Sequence, residues 1–385
     1  MAEPTLLFLV TEDWYFCSHR LPVARAARDA GFAVTVAARV REHGDQIRAE
    51  GFALCPLRWK RSGDGILGGL RALAEIVRLY RHERPDILYH VALKPVLFGG
   101  IAAWLAFGPR AAPAVLSAVM GLGTSASALW RRWALGRALR FVAGRGTVIV
   151  QNPEDGAALA RFGFDPARVA LIRGSGVDTG HFAPLPEPPD EPAGCTVALV
   201  GRMLRSKGVL DAAAAIRALR TEGLAVDLVL AGAADRDSRD SLSEEELAAL
   251  GRESGIEWLG HVGDVREVWR RAAIALLPSS YGEGVPKSLL EAASCARPII
   301  ASDMPGCREV VVQGKTGLLV PARDVAALAR AIATLARDRE LRRRMGEAGR
   351  ARIVAEFGEE AVAEQTVALL RSALGVGRSQ GRRPA

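Results

Sequence analysis

Two glutamates, Glu283 and Glu291, stand eight residues apart, with Gly284-Val285-Pro286 after the first and an apolar run leading to the second. Pro286 suits the first turn of a helix, where its missing N–H has no partner to lose. A helix over 286–296 leaves Glu283 on the entering loop and sets Glu291 on the second turn, about 12 Å along the axis. The first amides of such a helix lack intrahelical acceptors and favour an anion. A diphosphate on those amides, with a carboxylate to either side, is a layout that holds a sugar at one end and a ribose at the other. Upstream, Arg202 and Lys207 lie in a glycine-bounded loop, 201–208, directly after an apolar run. A guanidinium forks onto two phosphate oxygens and an ammonium adds a point charge. Together they suit a departing diphosphate, whose charge is the main electrostatic demand of such a step.

The elements that must position these groups follow from hydrophobic periodicity. In the first half, strands are expected at 6–10, 33–37, 86–89, 114–119 and 147–150, and helices at 21–30, 67–81 and 96–105. Strands alternating with helices predict a doubly wound parallel sheet. Residues 183–192 then hold five prolines, which excludes a helix or a central strand. The alternation restarts with strands at 196–200, 226–231 and 274–278 and helices at 209–220 and 265–273. The expected plan is a first α/β domain over 1–182, a Pro-rich linker over 183–194 and a second α/β domain over 195–358. A helix over 359–374 and a disordered basic tail over 375–385 complete it.

Composition agrees with two ordinary cores. The 385 residues are 49 % hydrophobic and 24 % charged, which excludes a fibrous or disordered chain. No apolar run approaches a membrane span. The run 6–10 is too short for a signal peptide and reads as a buried strand. The five cysteines are odd in number and lack C-x-x-C spacing, so free thiols in a reducing cytoplasm are expected. Through residue 182 there are 23 Lys+Arg against 15 Asp+Glu, and beyond it 28 against 28. The first half therefore carries the whole excess of +8, a sign that suits an anionic partner.

The segment 281–292 resembles the E-x7-E signature of retaining GT-B glycosyltransferases, the large family 4-like group typified by sucrose and glycogen synthases and lipopolysaccharide mannosyltransferases. The likeness continues through 297–303 and 311–320. The loop 201–208 resembles that family's G-R-x4-K-G loop. Gly174-Ser175-Gly176-Val177-Asp178 resembles its N-G-V-D landmark near the hinge. The resemblance implies two Rossmann-like domains facing each other across a cleft, with a C-terminal helix crossing back to the first. It implies that Arg202 and Lys207 hold the donor diphosphate, Glu291 the ribose and Glu283 the sugar. Gly284, Val285 and Pro286 then line the donor, and Val262, in Gly260-His261-Val262, meets the base. In this family the departing phosphate is held to deprotonate the acceptor on the same face, so no protein nucleophile is required.

Two departures from the commonest pattern narrow the resemblance. A loop over 11–22 replaces a Gly-Gly turn, and Met120 stands where many relatives carry a histidine. With Lys94-Pro95 they look like a subgroup acting on undecaprenyl-diphosphate-linked sugars in surface glycan assembly. His19 and His90 are the remaining candidate histidines, and for each a loop-end structural role is an equal reading. Lys94 suits an acceptor phosphate or a helix start. The stretch 130–142 sets Trp130, Trp133 and Phe141 among four arginines at helical spacing, which suits a membrane interface. Arg58-Trp59-Lys60-Arg61 is a second basic-aromatic patch. Packing of 130–142 on the sheet is the plainer alternative.

Other motifs carry less. Gly121-Leu122-Gly123 lacks the third glycine of a dinucleotide fingerprint. Asp235-Arg236-Asp237 reads as a solvated loop, and no metal or other cofactor is expected. The expected partners are a UDP-linked sugar donor, a lipid-diphosphate-linked sugar acceptor and an anionic membrane surface, with no nucleic acid. The expected location is the cytoplasmic face of the inner membrane. The main rival is a nucleotide-sugar 2-epimerase on the same architecture, against which the basic-aromatic patches argue. A non-enzymatic nucleic-acid binder would not need the 283–291 stretch.

Overall fold

The computed structural model describes residues 3–59, 65–108, 113–122, 129–189 and 194–381, the side chains of 129–133 and 376–381 aside. It divides into two compact units, Met1–Ser175 with Glu360–Ala385, and Gly176–Glu359.

The first unit is built on β1 (Thr5–Glu12), β2 (Ala33–Arg39), β3 (Ala53–Pro56), β4 (Ile87–Val91), β5 (Ala114–Ala118), β6 (Thr147–Val150) and β7 (Val169–Leu171). They pair in parallel in the order β3-β2-β1-β4-β5-β6-β7. β1 explains why the run is apolar throughout. Leu6, Phe8 and Val10 enter one core cluster and Leu7 and Leu9 the other, so both faces of the sheet are covered.

The second unit repeats the plan with β8 (Cys195–Val200), β9 (Val226–Ala231), β10 (Ile256–Trp258), β11 (Ile274–Leu277), β12 (Ile299–Ser302) and β13 (Gly317–Val320). Their order is β10-β9-β8-β11-β12-β13, again parallel. Val197 and Leu199 face one cluster, Ala198 and Val200 the other. In both sheets the strand order reverses beside the first strand, between β1 and β4 and between β8 and β11. Ligands of open α/β sheets bind beyond the carboxyl ends of the strands at such points.

Several expectations need correction. The division between units falls at Ser175/Gly176, inside the glycine-rich 174–178 segment, and not at the prolines. There Val177 bridges Gly358, so the chain's entry to the second unit lies beside its exit. The Pro-rich stretch is tied down on the second unit as far as it is described. Leu185 donates to Cys295, Arg297 donates to the carbonyls of Leu185 and Pro186, and Arg342 binds Glu187. Prolines exclude helix and ladder, but they do not prevent a strap held through its carbonyls.

Residues 13–19 of the expected 11–22 loop form a helix, Asp13–His19. The helix Glu359–Gly381 runs past the expected start of the tail at Gly375, and its Val362, Ala363, Val367 and Leu370 are buried in the first unit's core. No described helix is long and apolar enough to cross a membrane. The helix Leu129–Ala143 buries Leu139 and Ala143 and leaves Phe141 65 % exposed, so its described part packs on one side and presents an aromatic ring on the other. Its Trp130, Arg131, Arg132 and Trp133 side chains lie outside the described residues, as do Lys60, Arg61 and Gly123. Trp59 is not a surface aromatic: it is 2 % exposed and its indole N–H donates to the Thr11 carbonyl at 3.2 Å.

Candidate active site

The expected donor residues follow the carboxyl ends of β8, β10 and β11. After β8 the chain makes a short 3-10 turn, Arg205–Lys207, and enters a helix at Gly208, whose φ is 77°. That left-handed conformation favours glycine, and a Cβ there would collide with the Pro278 carbonyl at the end of β11. The two loops are laced together. The Ser206 carbonyl accepts from Ser280 N at 2.8 Å and from Ser279 Oγ at 3.2 Å. Asp240 holds Ser206 from behind through its amide and hydroxyl.

This lacing brings Lys207 and Glu283 together. The Lys207 Nζ lies 2.5 Å from Glu283 Oε2, and Ser279 Oγ donates to Glu283 Oε1 at 3.0 Å. Both side chains are nearly withdrawn from water, 11 % and 13 % exposed. Burial alone would pull the Lys207 pKa down, but the Glu283 carboxylate outweighs it and holds the ammonium above the ordinary lysine value. The pair sits at the reversal between β8 and β11.

Arg202 is engaged on the other side of β8. Its guanidinium binds Asp235 Oδ2 at 2.7 Å, and the Asp235 side chain is only 13 % exposed. The first acid of Asp235-Arg236-Asp237 is therefore no solvated loop residue but a counter-ion to Arg202. Sequence reasoning missed it, because the partners are 33 positions apart and meet only through the β8–β9 pairing. Among the described residues no group of three or more His, Cys, Asp or Glu side chains is placed to hold a metal ion.

The helix after Glu283 is Lys287–Ser294, with Pro286 at its N-cap, one position earlier than the sequence suggests. Leu289 and Leu290 carry it into the core. Gly306 allows the start of the helix Pro305–Val310 to press on the backbone of Glu283 and Gly284, where a Cβ would strike the Gly284 carbonyl. Gly306 too was missed; it falls between the two stretches that carry the family likeness. Glu291 is partly buried on the helix, and among the described residues no hydrogen bond engages its carboxylate. Burial pushes its pKa up to about 7, against a lowering pull from Lys287. Val262 is half-buried against the second unit's core, on the loop that Gly260 ties to Gly232 by a 2.7 Å bond.

The candidates in the first unit separate. His90 is fully buried on β4, with Nε2 2.9 Å from the Tyr80 hydroxyl and, among the described residues, no partner for Nδ1. Burial drops its pKa to about 3, so it is a neutral core ring without access to a substrate. His19 is partly buried, with Nδ1 2.6 Å from Ser18 Oγ and its ring stacked on Tyr15 at 4.3 Å. The Lys94 ammonium lies over the rings of Trp59 and Phe98 at 5.3 and 5.7 Å, a cation–π seat. Arg20, not singled out by the sequence reading, is 3 % exposed over the Tyr89 ring, with no partner for Nε among the described residues.

Two parallel sheets of this order, with a basic loop and an acidic helix entry at one reversal point, are two doubly wound α/β units with a charged cluster where such folds bind ligands. Family models described as "Glycosyl transferase 4-like" and "Glycosyl transferases group 1" match residues 5–143 and 194–338. The chain belongs to the GT-B glycosyltransferases. It is 36 % identical over 230 residues to the alpha-maltose-1-phosphate synthase of Mycolicibacterium smegmatis, covering 54 % of this chain and 57 % of that protein. It is 31 % identical over 227 residues to the D-inositol 3-phosphate glycosyltransferase of Kribbella flavida, covering 55 % and 53 %. The chain thus spans about half the length of these curated relatives. The crystal structure of Anabaena HepE in complex with UDP and glucose superposes with a TM-score of 0.77 at 19 % identity, over 96 % of this chain and 100 % of that one.

Proposed function

We propose that the protein is a retaining glycosyltransferase that moves a hexose or N-acetylhexosamine from a UDP-sugar to a lipid-diphosphate-linked glycan acceptor in surface polysaccharide assembly. The observation that carries this reading is the Lys207–Glu283 pair at the β8/β11 reversal, one short loop from the start of the helix Lys287–Ser294.

The chemistry follows from the groups present. Lys207 and Arg202 meet the charge that grows on the departing diphosphate. Their present partners, Glu283 and Asp235, keep both cations oriented until a phosphate shares them. Glu283 holds the sugar, with one oxygen already fixed by Ser279. Glu291 accepts from the ribose hydroxyls, and an uncommitted carboxylate suits that task. Val262 and its loop meet the base through backbone, while Gly284, Val285 and Pro286 line the diphosphate. The departing phosphate oxygen takes the acceptor proton on the same face. The reading calls for no metal ion and no cofactor, because side-chain cations supply the leaving-group charge. A UDP donor is favoured because HepE was solved with UDP and glucose.

On the acceptor side, Lys94 is the residue assigned to the phosphate of a lipid-linked acceptor, and His19 is the candidate catalytic histidine. The basic excess of the first half supports an anionic acceptor and a peripheral position at the inner face of the membrane. Nucleic acid is not an expected partner.

The test is a thermal-shift screen of UDP-, GDP- and ADP-sugars, since a ligand that binds only the folded state raises its apparent stability. A shift with a UDP-sugar, followed by UDP release that requires a lipid-diphosphate-linked acceptor, is the expected result. UDP-sugar turnover without any acceptor would favour the 2-epimerase instead. No shift with any nucleotide sugar would overturn the donor assignment.

A further inference from the structure

The helix Gly65–Glu83 leaves its first two turns uncovered. Ile66, Leu67 and Leu70 are 85, 72 and 58 % exposed. Exposed apolar residues scattered singly are ordinary, but three within five positions form a patch. The same helix buries Ala72, Ile76, Val77 and Tyr80 on its inner side. The burial begins only at the third turn, so the apolar side chains of the first two turns project beyond the packed part of the helix. Its other exposed positions are Gly65, Arg71, Ala74, Arg78, Arg81 and His82, and none of them is acidic.

The patch has a definite place in the fold. The helix follows β3, so it begins at the carboxyl ends of the strands. Gly69 lies against the ring of Phe98, Phe98 contacts Trp59 at 6.3 Å, and Lys94 caps both rings. The exposed leucines therefore adjoin the lysine assigned above to an acceptor phosphate.

We infer that the first two turns of the helix Gly65–Glu83 insert into the headgroup region of an anionic membrane. This deepens, and rests on, the lipid-linked acceptor reading. Ile66, Leu67 and Leu70 enter the acyl boundary while Arg71, Arg78 and Arg81 lie along the surface and meet lipid phosphates. The charge pattern selects lipid over a second copy of the chain, because a two-fold contact through this face would set arginines against their own images.

The experiment uses the full chain and vesicles of phosphatidylglycerol with phosphatidylethanolamine, against phosphatidylcholine vesicles. The variant Ile66→Ser/Leu67→Gln/Leu70→Gln alters only exposed side chains, so its thermal midpoint and UDP-sugar shift should match wild type. Its partition onto the anionic vesicles is expected to fall about 100-fold, as the loss of several buried methylene groups predicts. A second variant, Arg131→Gln/Arg132→Gln/Arg137→Gln/Arg140→Gln, is expected to bind nearly as wild type. The inference is overturned if the triple variant binds like wild type, or if the arginine variant alone is lost from the vesicles. Wild type that ignores both vesicles, with a UDP-sugar shift intact, would sink the membrane reading and leave the donor reading standing. A triple variant that changes only the oligomeric state would assign the patch to a protein partner and equally overturn the inference.

Discussion

The two sheets share one strand order, yet their reversal points are furnished differently. Between β8 and β11 the second unit sets two opposite charges in contact, Lys207 and Glu283, with Arg202 and Asp235 beside them. Between β1 and β4 the first unit sets aromatic packing, with Phe8 and Tyr89 at 5.0 Å and Phe8 and Phe16 at 5.6 Å. Its charges there serve the scaffold. Asp13 accepts from the backbone of Trp14, Arg41 and His43, and Glu12 binds Arg41 at 3.1 Å. The comparison teaches that one topology offers a site twice. The second unit uses it for a buried pair of opposite charges, whereas the first commits its carboxylates to loop anchoring.

The sharpest way to break this contrast is Glu283→Gln. Removing the carboxylate strands a buried ammonium, so stability should fall by about 3–5 kcal/mol, and transfer should be lost with it. The double variant Lys207→Met/Glu283→Leu should regain most of that stability and stay inactive. Denaturant unfolding beside a UDP-release assay measures both. A fully active double variant would reduce the pair to scaffold, like Asp13 in the first unit.

Arg202→Ala should come next, costing about 10²–10³ in turnover, the usual loss for one donor aimed at developing negative charge. The folded variant should bind UDP-sugar almost as before. Turnover near wild type would make Arg202–Asp235 a surface tie.

Glu291 gives a pH test. Its folded pKa of about 7 lies above its ordinary value of 4.5, so the unfolded chain ionises first as pH rises. Stability is then lost between about pH 4.5 and 7 and stays lost above. Glu291→Gln removes that loss, and should stabilise the ligand-free protein by about 2 kcal/mol at pH 8 and not at all at pH 4. The same variant should weaken UDP-sugar binding by roughly 1.5–3 kcal/mol if the carboxylate accepts from the ribose. Thermal melts across pH, with and without donor, separate the two effects.

The smallest effect belongs to the first unit. Ala92, at the end of β4 before Lys94, has φ 76° and ψ 163°, a region that only glycine enters readily. Ala92→Gly should raise stability by about 1 kcal/mol. Acceptor KM that rises while the thermal midpoint climbs would mean that this strain positions Lys94; unchanged KM would leave it incidental.

Legibility differed between the units for a physical reason. In the second, Glu283, Pro286 and Glu291 lie within nine positions, and Arg202 and Lys207 within six, so local spacing already described most of the cluster. Asp235 and Gly306 escaped, since each acts through a contact made only after strands pair. In the first unit the residue types misled. His90 and Trp59 look like chemistry in sequence, but β4 and the packing around Lys94 bury them. The 13–19 helix was hidden as well. Its aromatic and polar residues lack a clear 3.6-residue period, and Asp13 finds its backbone partners 28 and 30 positions away.

By itself, then, the sequence determined the alternation of strands and helices, since short apolar runs set between amphipathic segments fit strands covered on both faces of a parallel sheet. It also determined the acidic helix entry and the basic loop, whose groups are local. Only the tertiary structure decided which charges meet, where the units divide and which aromatics are withdrawn from water. Those outcomes depend on strand order and on close backbone approach at Gly208 and Gly306, and neither is written in any short window of the chain.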